Sequence, residues 1–188
     1  MSRLGKKQIY IPENIKIYFK DKIITVEGPN GKLNMKICDK INIKFDKNNI
    51  FIETVEKSKK TNMLQGLFRG LVINMISGAI KDFKKELEII GLGYKAVLET
   101  NLKRIILTVG FSHTVSIDIP YNLKIISTIR SDKSTLLSIT GSDKCEVGTL
   151  AAKIRAVKPV EPYKGFGIRY LGENVIKKAG KAAISVKK

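Results

Sequence analysis

Two similar small α+β domains, each an antiparallel sheet packed against a helix, with a basic C-terminal extension, are the fold this sequence predicts. Three observations predict it. Apolar residues alternate with period two from Ile15 to Glu53, then switch to a helical stripe, and the same order recurs in the second half. Hydrophobic residues make up 43% of the 188-residue chain, enough to build packed cores. The net charge is +18 and unevenly spread, with ten basic and two acidic side chains in residues 153–188. The expected boundaries are 1–82 for the N-terminal domain, 83–170 for the C-terminal domain and 171–188 for a basic tail, with the domains joined near Lys81–Phe83. A single larger sheet is the alternative.

The elements follow in order. Ile15, Ile17 and Phe19 face one way, Ile41, Ile43 and Phe45 repeat the pattern, and Ile50 and Ile52 continue it, as half-buried antiparallel strands do. Gly28-Pro29-Asn30-Gly31 separates two strands and offers the positive-φ positions of a tight turn. Leu64, Leu67, Phe68, Leu71, Val72, Met75 and Ala79 then form one apolar stripe on a helix of roughly 20 residues. Period two returns at Leu87 and Ile89 and runs through Ile105, Leu107 and Val109, Val115, Ile117 and Ile119, Leu123 and Ile125, and Leu137 and Ile139. A second helix carries Val147, Leu150, Ala151 and Ile154 on its stripe, with Ser142 or Asp143 as N-cap and Pro159 beyond its end.

So large a positive charge opposes folding by self-repulsion, and a polyanionic partner offsets it. RNA, DNA and an acidic membrane are the candidates. A spanning segment is not expected, because the apolar stretch Gly70–Ile80 is 11 residues long and lies between Arg69 and Lys81, whereas a spanning helix needs about 20. The opening residues Met1–Lys7 lack the apolar core of a secretory signal. Cys38 and Cys145 are isolated and read as small buried hydrophobes in a reducing compartment.

Chemistry is hard to find in this chain. His113 is the only histidine, which argues against a histidine triad or a His-rich metal site; it reads as a hydrogen-bonded loop residue between two strands, in preference to an RNA contact. Gly91-Leu92-Gly93 lacks the third glycine and following helix of a dinucleotide fingerprint, and instead marks a bulge or a close backbone approach. No P-loop sequence is present. The reading is a protein without catalytic residues, cofactor, metal or small-molecule substrate.

The segment Lys158–Tyr170 carries the function. Its prolines stiffen the chain, so Lys158, Lys164 and Arg169 lose less entropy on ordering. Gly165 and Gly167 let the backbone approach a phosphate. Tyr163, Phe166 and Tyr170 can pack on the domain or stack on bases. Lys177, Lys178, Lys181, Lys187 and Lys188 follow, with small residues between them.

Here the sequence resembles a known family. Glu161-Pro162-Tyr163-Lys164-Gly165-Phe166-Gly167-Ile168-Arg169-Tyr170 is similar to the signature P-E-P-Y-K-G-K-G-I-[RK]-Y of bacterial-type large-subunit ribosomal protein six. The opening Ser2–Lys7 with Ile11-Pro12, the Gly28–Gly31 turn, Gly91-Leu92-Gly93-Tyr94-Lys95-Ala96 and Gly110-Phe111-Ser112-His113 resemble other family motifs in the same order. Phe166 and Asn30 stand where the family has basic residues, and each removes a candidate phosphate contact.

The resemblance implies a structural constituent of the large ribosomal subunit that binds large-subunit rRNA. It implies neighbouring ribosomal proteins as partners and proximity to translational GTPases near the sarcin–ricin loop, in a bacterial cytoplasm or an organelle, with no membrane. The expected rRNA-binding residues are Arg3, Lys6, Lys7, Lys153, Arg155, Lys158, Tyr163, Lys164, Gly165, Gly167, Arg169, Tyr170, Lys177, Lys178 and Lys181. A free nucleic-acid-binding regulator and an unrecognised enzyme are the competing readings.

Overall fold

The computed structural model describes residues 5, 7–46, 48–56, 58–130 and 134–180. The chain divides into two compact units, Met1–Phe83 with Ser142–Lys144, and Lys84–Gly141 with Cys145–Lys188. It is α+β, with antiparallel strand pairing and one helix for each run of strands, as the alternation of periods predicts.

In the first unit the strands are β1 (Ile9–Tyr10), β2 (Lys16–Lys20), β3 (Ile23–Gly28), β4 (Gly31–Lys36), β5 (Ile41–Asp46) and β6 (Asn49–Thr54). They form two three-stranded sheets, β2-β3-β4 and β1-β6-β5, where the sequence suggests one. β2 and β3 are joined by Asp21-Lys22, both at positive φ (51° and 59°), a two-residue turn made without glycine. In the next turn Gly28 pairs with Gly31, and only Gly31 has positive φ. Gly28 is needed for space: a Cβ there would come within 2.7 Å of the Ala79 carbonyl oxygen.

The helix α1 (Lys59–Ile80) starts at Ser58, which forms a capping box with Thr61. Its buried face keeps most of the expected stripe, with Leu64, Leu71 and Met75 packed at its margin, and departs from it at Leu67. Phe68, Val72, Ile76 and Ala79 face the core together with Thr61 and Gln65, while Leu67 is 55% exposed. Gln65 explains the shift, since its Nε2 donates to the Ile52 carbonyl at 2.6 Å and turns a polar side chain into the helix–sheet contact. The core beneath is aliphatic: Ile9, Ile15, Ile24, Val26, Ile37, Ile41, Ile50 and Ile52. By length and composition α1 is apolar enough to cross a membrane, contrary to the expectation from the 11-residue stretch. The helix tolerates Arg69 within a longer apolar window, and its buried face is occupied by the unit's own strands.

In the second unit, β7 (Phe83–Ile90), β8 (Lys95–Glu99), β9 (Arg104–Thr108), β10 (Val115–Asp118), β11 (Leu123–Ile129) and β12 (Thr135–Gly141) precede α2 (Lys144–Val157) and β13 (Gly167–Tyr170). The sheets run β10-β9-β8 and β11-β12-β7-β13. Val147, Leu150, Ala151 and Ile154 are buried, the stripe that the spacing predicts. β13 is the unexpected element. It places the last third of the Lys158–Tyr170 segment on a sheet edge, paired with β7 from Gly167 opposite Ile90 to Tyr170 opposite Leu87, with Ile168 fully buried. Cys38 and Cys145 are exposed, not buried as expected; each lies next to a polar turn or helix start and not in the apolar set.

Candidate nucleic-acid interface

The basic segment leaves α2 at Val157 and folds back on itself before joining the sheet as β13. Pro159 ends the helix by denying it an N–H donor. The Ile168 N–H donates to the Lys158 carbonyl (2.9 Å), Glu161 N–H to Phe166 (2.8 Å) and Gly165 N–H to Glu161 (3.0 Å). These bonds close a rigid loop whose tip is Pro162-Tyr163-Lys164-Gly165. Tyr163 is 55% exposed and Lys164 is exposed.

The glycines have an internal reason. Gly165 has φ +80°, and Gly167 has φ +141° with its missing Cβ only 2.7 Å from the Val160 Cα. Both are buried, Gly165 under the aliphatic stem of Lys177, whose Cε lies 3.2 Å from where a Cβ would be. Beyond β13 the Lys178 N–H donates to the Pro162 carbonyl at 2.8 Å, so the chain after Tyr170 returns along the loop. Lys164, Lys177 and Lys178, all exposed, thereby lie on adjoining stretches of chain around the loop tip. Lys153 is exposed on α2, and Lys158 is half-buried with its Nζ 4.8 Å from the centre of the Phe111 ring.

The two arginines are placed differently. Arg169 holds Glu88, with Nε and Nη2 at 2.8 and 2.7 Å from Oε2, while Arg130 reaches the other oxygen at 3.2 Å. Glu88 is buried, and two guanidinium groups supply the charge that makes its burial tolerable. Arg155 makes a two-pronged contact with Glu173, which also accepts the Tyr170 N–H at 3.0 Å. Hydrogen bonds from Arg155, then from the Tyr170 backbone, hold the Glu173 carboxyl below the usual carboxylate range; the same partner raises Arg155. Two cations lie over the Tyr170 ring, Arg155 at 5.5 Å and Lys85 at 5.7 Å from its centre.

The structure thus brings Lys158, Tyr163, Lys164, Gly165, Gly167, Arg169, Tyr170, Lys177 and Lys178 onto one folded segment, with Arg155 braced against it. Lys7 belongs to the other compact unit, where its carbonyl accepts Arg69 Nε at 2.9 Å. Arg3, Lys6 and Lys181 lie outside the described residues. Sequence reasoning missed Glu88, Glu173, Lys85 and Arg130. Carboxylates in alternating strands look solvent-facing, and only the fold shows which of them meet arginines from distant segments. Among the described residues, no three His, Cys, Asp or Glu side chains gather as metal ligands.

Two α+β units, the second carrying a folded cationic loop after its helix, define a duplicated scaffold protein. The profile of the family Ribosomal protein L6 matches residues 11–81 and again 90–171, once for each run of strands and helix, and the chain belongs to that family. It is 43% identical over 183 residues to "Large ribosomal subunit protein uL6" of Karelsulcia muelleri (strain GWSS), covering 97% of this chain and 100% of that protein. It is also 43% identical to "Large ribosomal subunit protein uL6c" of Porphyra purpurea (97% and 98% covered) and to "Large ribosomal subunit protein uL6" of Alkaliphilus metalliredigens (strain QYMF) (96% and 98%).

Proposed function

We propose that this chain, a structural and non-enzymatic constituent of the large ribosomal subunit, grips large-subunit rRNA with the 158–166 loop and the lysines laid against it. The observation that carries the reading is a loop closed by backbone hydrogen bonds, with exposed Lys164 on its tip and the Lys177–Lys178 stretch bonded back against it. A closed loop holds its charges in place before binding, so little ordering entropy is lost on contact. Lys7, Lys153 and Lys158 add phosphate contacts, and Arg3, Lys6 and Lys181 extend them. Arg155, Arg169 and Tyr170 act at the same surface while fixing its shape through Glu88 and Glu173. With roughly six to eight phosphates engaged, affinity falls by orders of magnitude between low and moderate salt.

The lasting partners are rRNA and neighbouring ribosomal proteins, in the ribosome of a bacterial cytoplasm or an organelle. By analogy with the family, the chain supports the factor-binding region near the sarcin–ricin loop, close to docking translational GTPases. The test is incorporation. A Lys164→Ala, Lys177→Ala, Lys178→Ala variant should be depleted from large subunits separated on a gradient at moderate salt while losing little thermal stability. Full incorporation of the triple variant overturns the loop as anchor.

A further inference from the structure

The motif Gly110-Phe111-Ser112-His113 has no role in the cationic loop, yet the fold joins the two. The motif forms the connection between β9 and β10, with all four residues exposed. The Phe111 and His113 rings are stacked nearly parallel, 14° apart with centres separated by 5.7 Å, and Phe111 is 40% exposed. Two aromatic rings stacked on each other at a loop tip contribute little to a core, and both side chains are exposed.

Their support is rigid. Gly110, at φ +74°, turns the chain directly against the Tyr94 ring, where a Cβ would lie 3.0 Å from the phenol oxygen. Gly91 packs on the same ring from the other motif, where a Cβ would come within 2.5 Å. The β9–β10 ladder holds the connection from below, with Leu107 opposite Val115. Lys158, the first residue of the cationic segment, lies over Phe111. An exposed, pre-stacked ring pair on a fixed base beside a cation is suited to a nucleobase, whose face stacks on aromatic rings while its phosphate meets the ammonium group.

We propose that Phe111 and His113 form a stacking platform for one unpaired nucleotide of large-subunit rRNA, with Lys158 as the charge beside it. The inference rests on the rRNA-binding reading above and adds to it a contact that reads an unstacked base and not the backbone alone.

The experiment uses the full chain and a large-subunit rRNA transcript, with affinity measured across a salt series for the wild type, a Phe111→Leu, His113→Ala variant and a His113→Phe variant. The double variant should bind about tenfold or more weaker, with the slope against salt unchanged, because a stacking contact releases no counterions. His113→Phe, which keeps a stacking ring, should retain most of the affinity. In base-specific chemical probing, one unpaired nucleotide protected by the wild type should become reactive with the double variant, while backbone protection persists. Equal affinity of wild type and double variant, at equal thermal stability, overturns the platform and leaves the cationic loop standing; a face that docks protein instead gives that same result. A weaker complex with a shallower salt slope also overturns it, since charge and not stacking was then lost. Failure of the wild type to bind the transcript at all sinks the underlying rRNA reading.

Discussion

The two helices end in different ways, and the difference separates the scaffold from the binding surface. α1 closes inside its own unit. The Asn30 N–H and Nδ2 donate to the Ala79 and Ile80 carbonyls, both at 3.2 Å, so the β3–β4 turn caps the helix C-terminus. α2 is instead followed by a proline, a closed basic loop and an added edge strand, β13. Where the turn serves as a cap, the Asn30 side chain is committed internally. Where the loop does not cap a helix, its tip carries tyrosine and lysine to solvent. Duplication supplied one plan twice, and the chain after the second helix made the copies unequal.

The largest test of this contrast targets the buried carboxylate. Glu88→Ala should leave Arg130 and Arg169 unpaired and cost about 2–3 kcal/mol in denaturant unfolding, below the full range for buried pairs because both guanidinium groups reach water. A loss below 0.5 kcal/mol, roughly the level of a surface substitution, would show that the network does not hold β13. The glycines come next. Gly28→Ala and Gly167→Ala should each cost about 2 kcal/mol, from a backbone clash in the first and a clash with positive-φ strain in the second. Only Gly167→Ala should also weaken rRNA binding; an equal effect from Gly28→Ala would erase the division of labour.

The lysines act chiefly through charge, with the Lys177 stem adding a contact over Gly165. Replacing Lys164, Lys177 and Lys178 with Ala should reduce the salt slope by about two to three and lower the unfolding midpoint only slightly, through the lost Lys177 stem. Asn30→Ala should cost about 1 kcal/mol, because two helix-end carbonyl contacts depend on that residue's placement, with rRNA affinity unaltered. The smallest effect is one of pH. The folded Glu173 carboxyl titrates below its unfolded counterpart, so the stability it contributes is present above the ordinary carboxylate range and lost as pH falls through the folded value. The contact is partly exposed, so solvent screening keeps this contribution small. Glu173→Gln should flatten that part of the stability–pH curve; an unchanged curve would remove the Arg155–Glu173 pair as its source.

The amino-acid order alone determined the fold class, the strand-then-helix repeat, the stripe of α2 and the cationic stretch after it. These are local quantities: a periodicity of two or 3.6 residues, a turn dipeptide, a density of charge. Only the tertiary structure decided that α1 turns Gln65 and Ile76 inward and leaves Leu67 out, since helix rotation is settled by which neighbour accepts the polar group. It also decided that Gly167–Tyr170 is a strand, because β13 exists only by pairing with residues some 80 positions earlier. Arg155 and Arg169 read as phosphate ligands from composition, and the fold gives each a carboxylate first. The pairing of a charge is a property of distance in space, and sequence separation holds no measure of it.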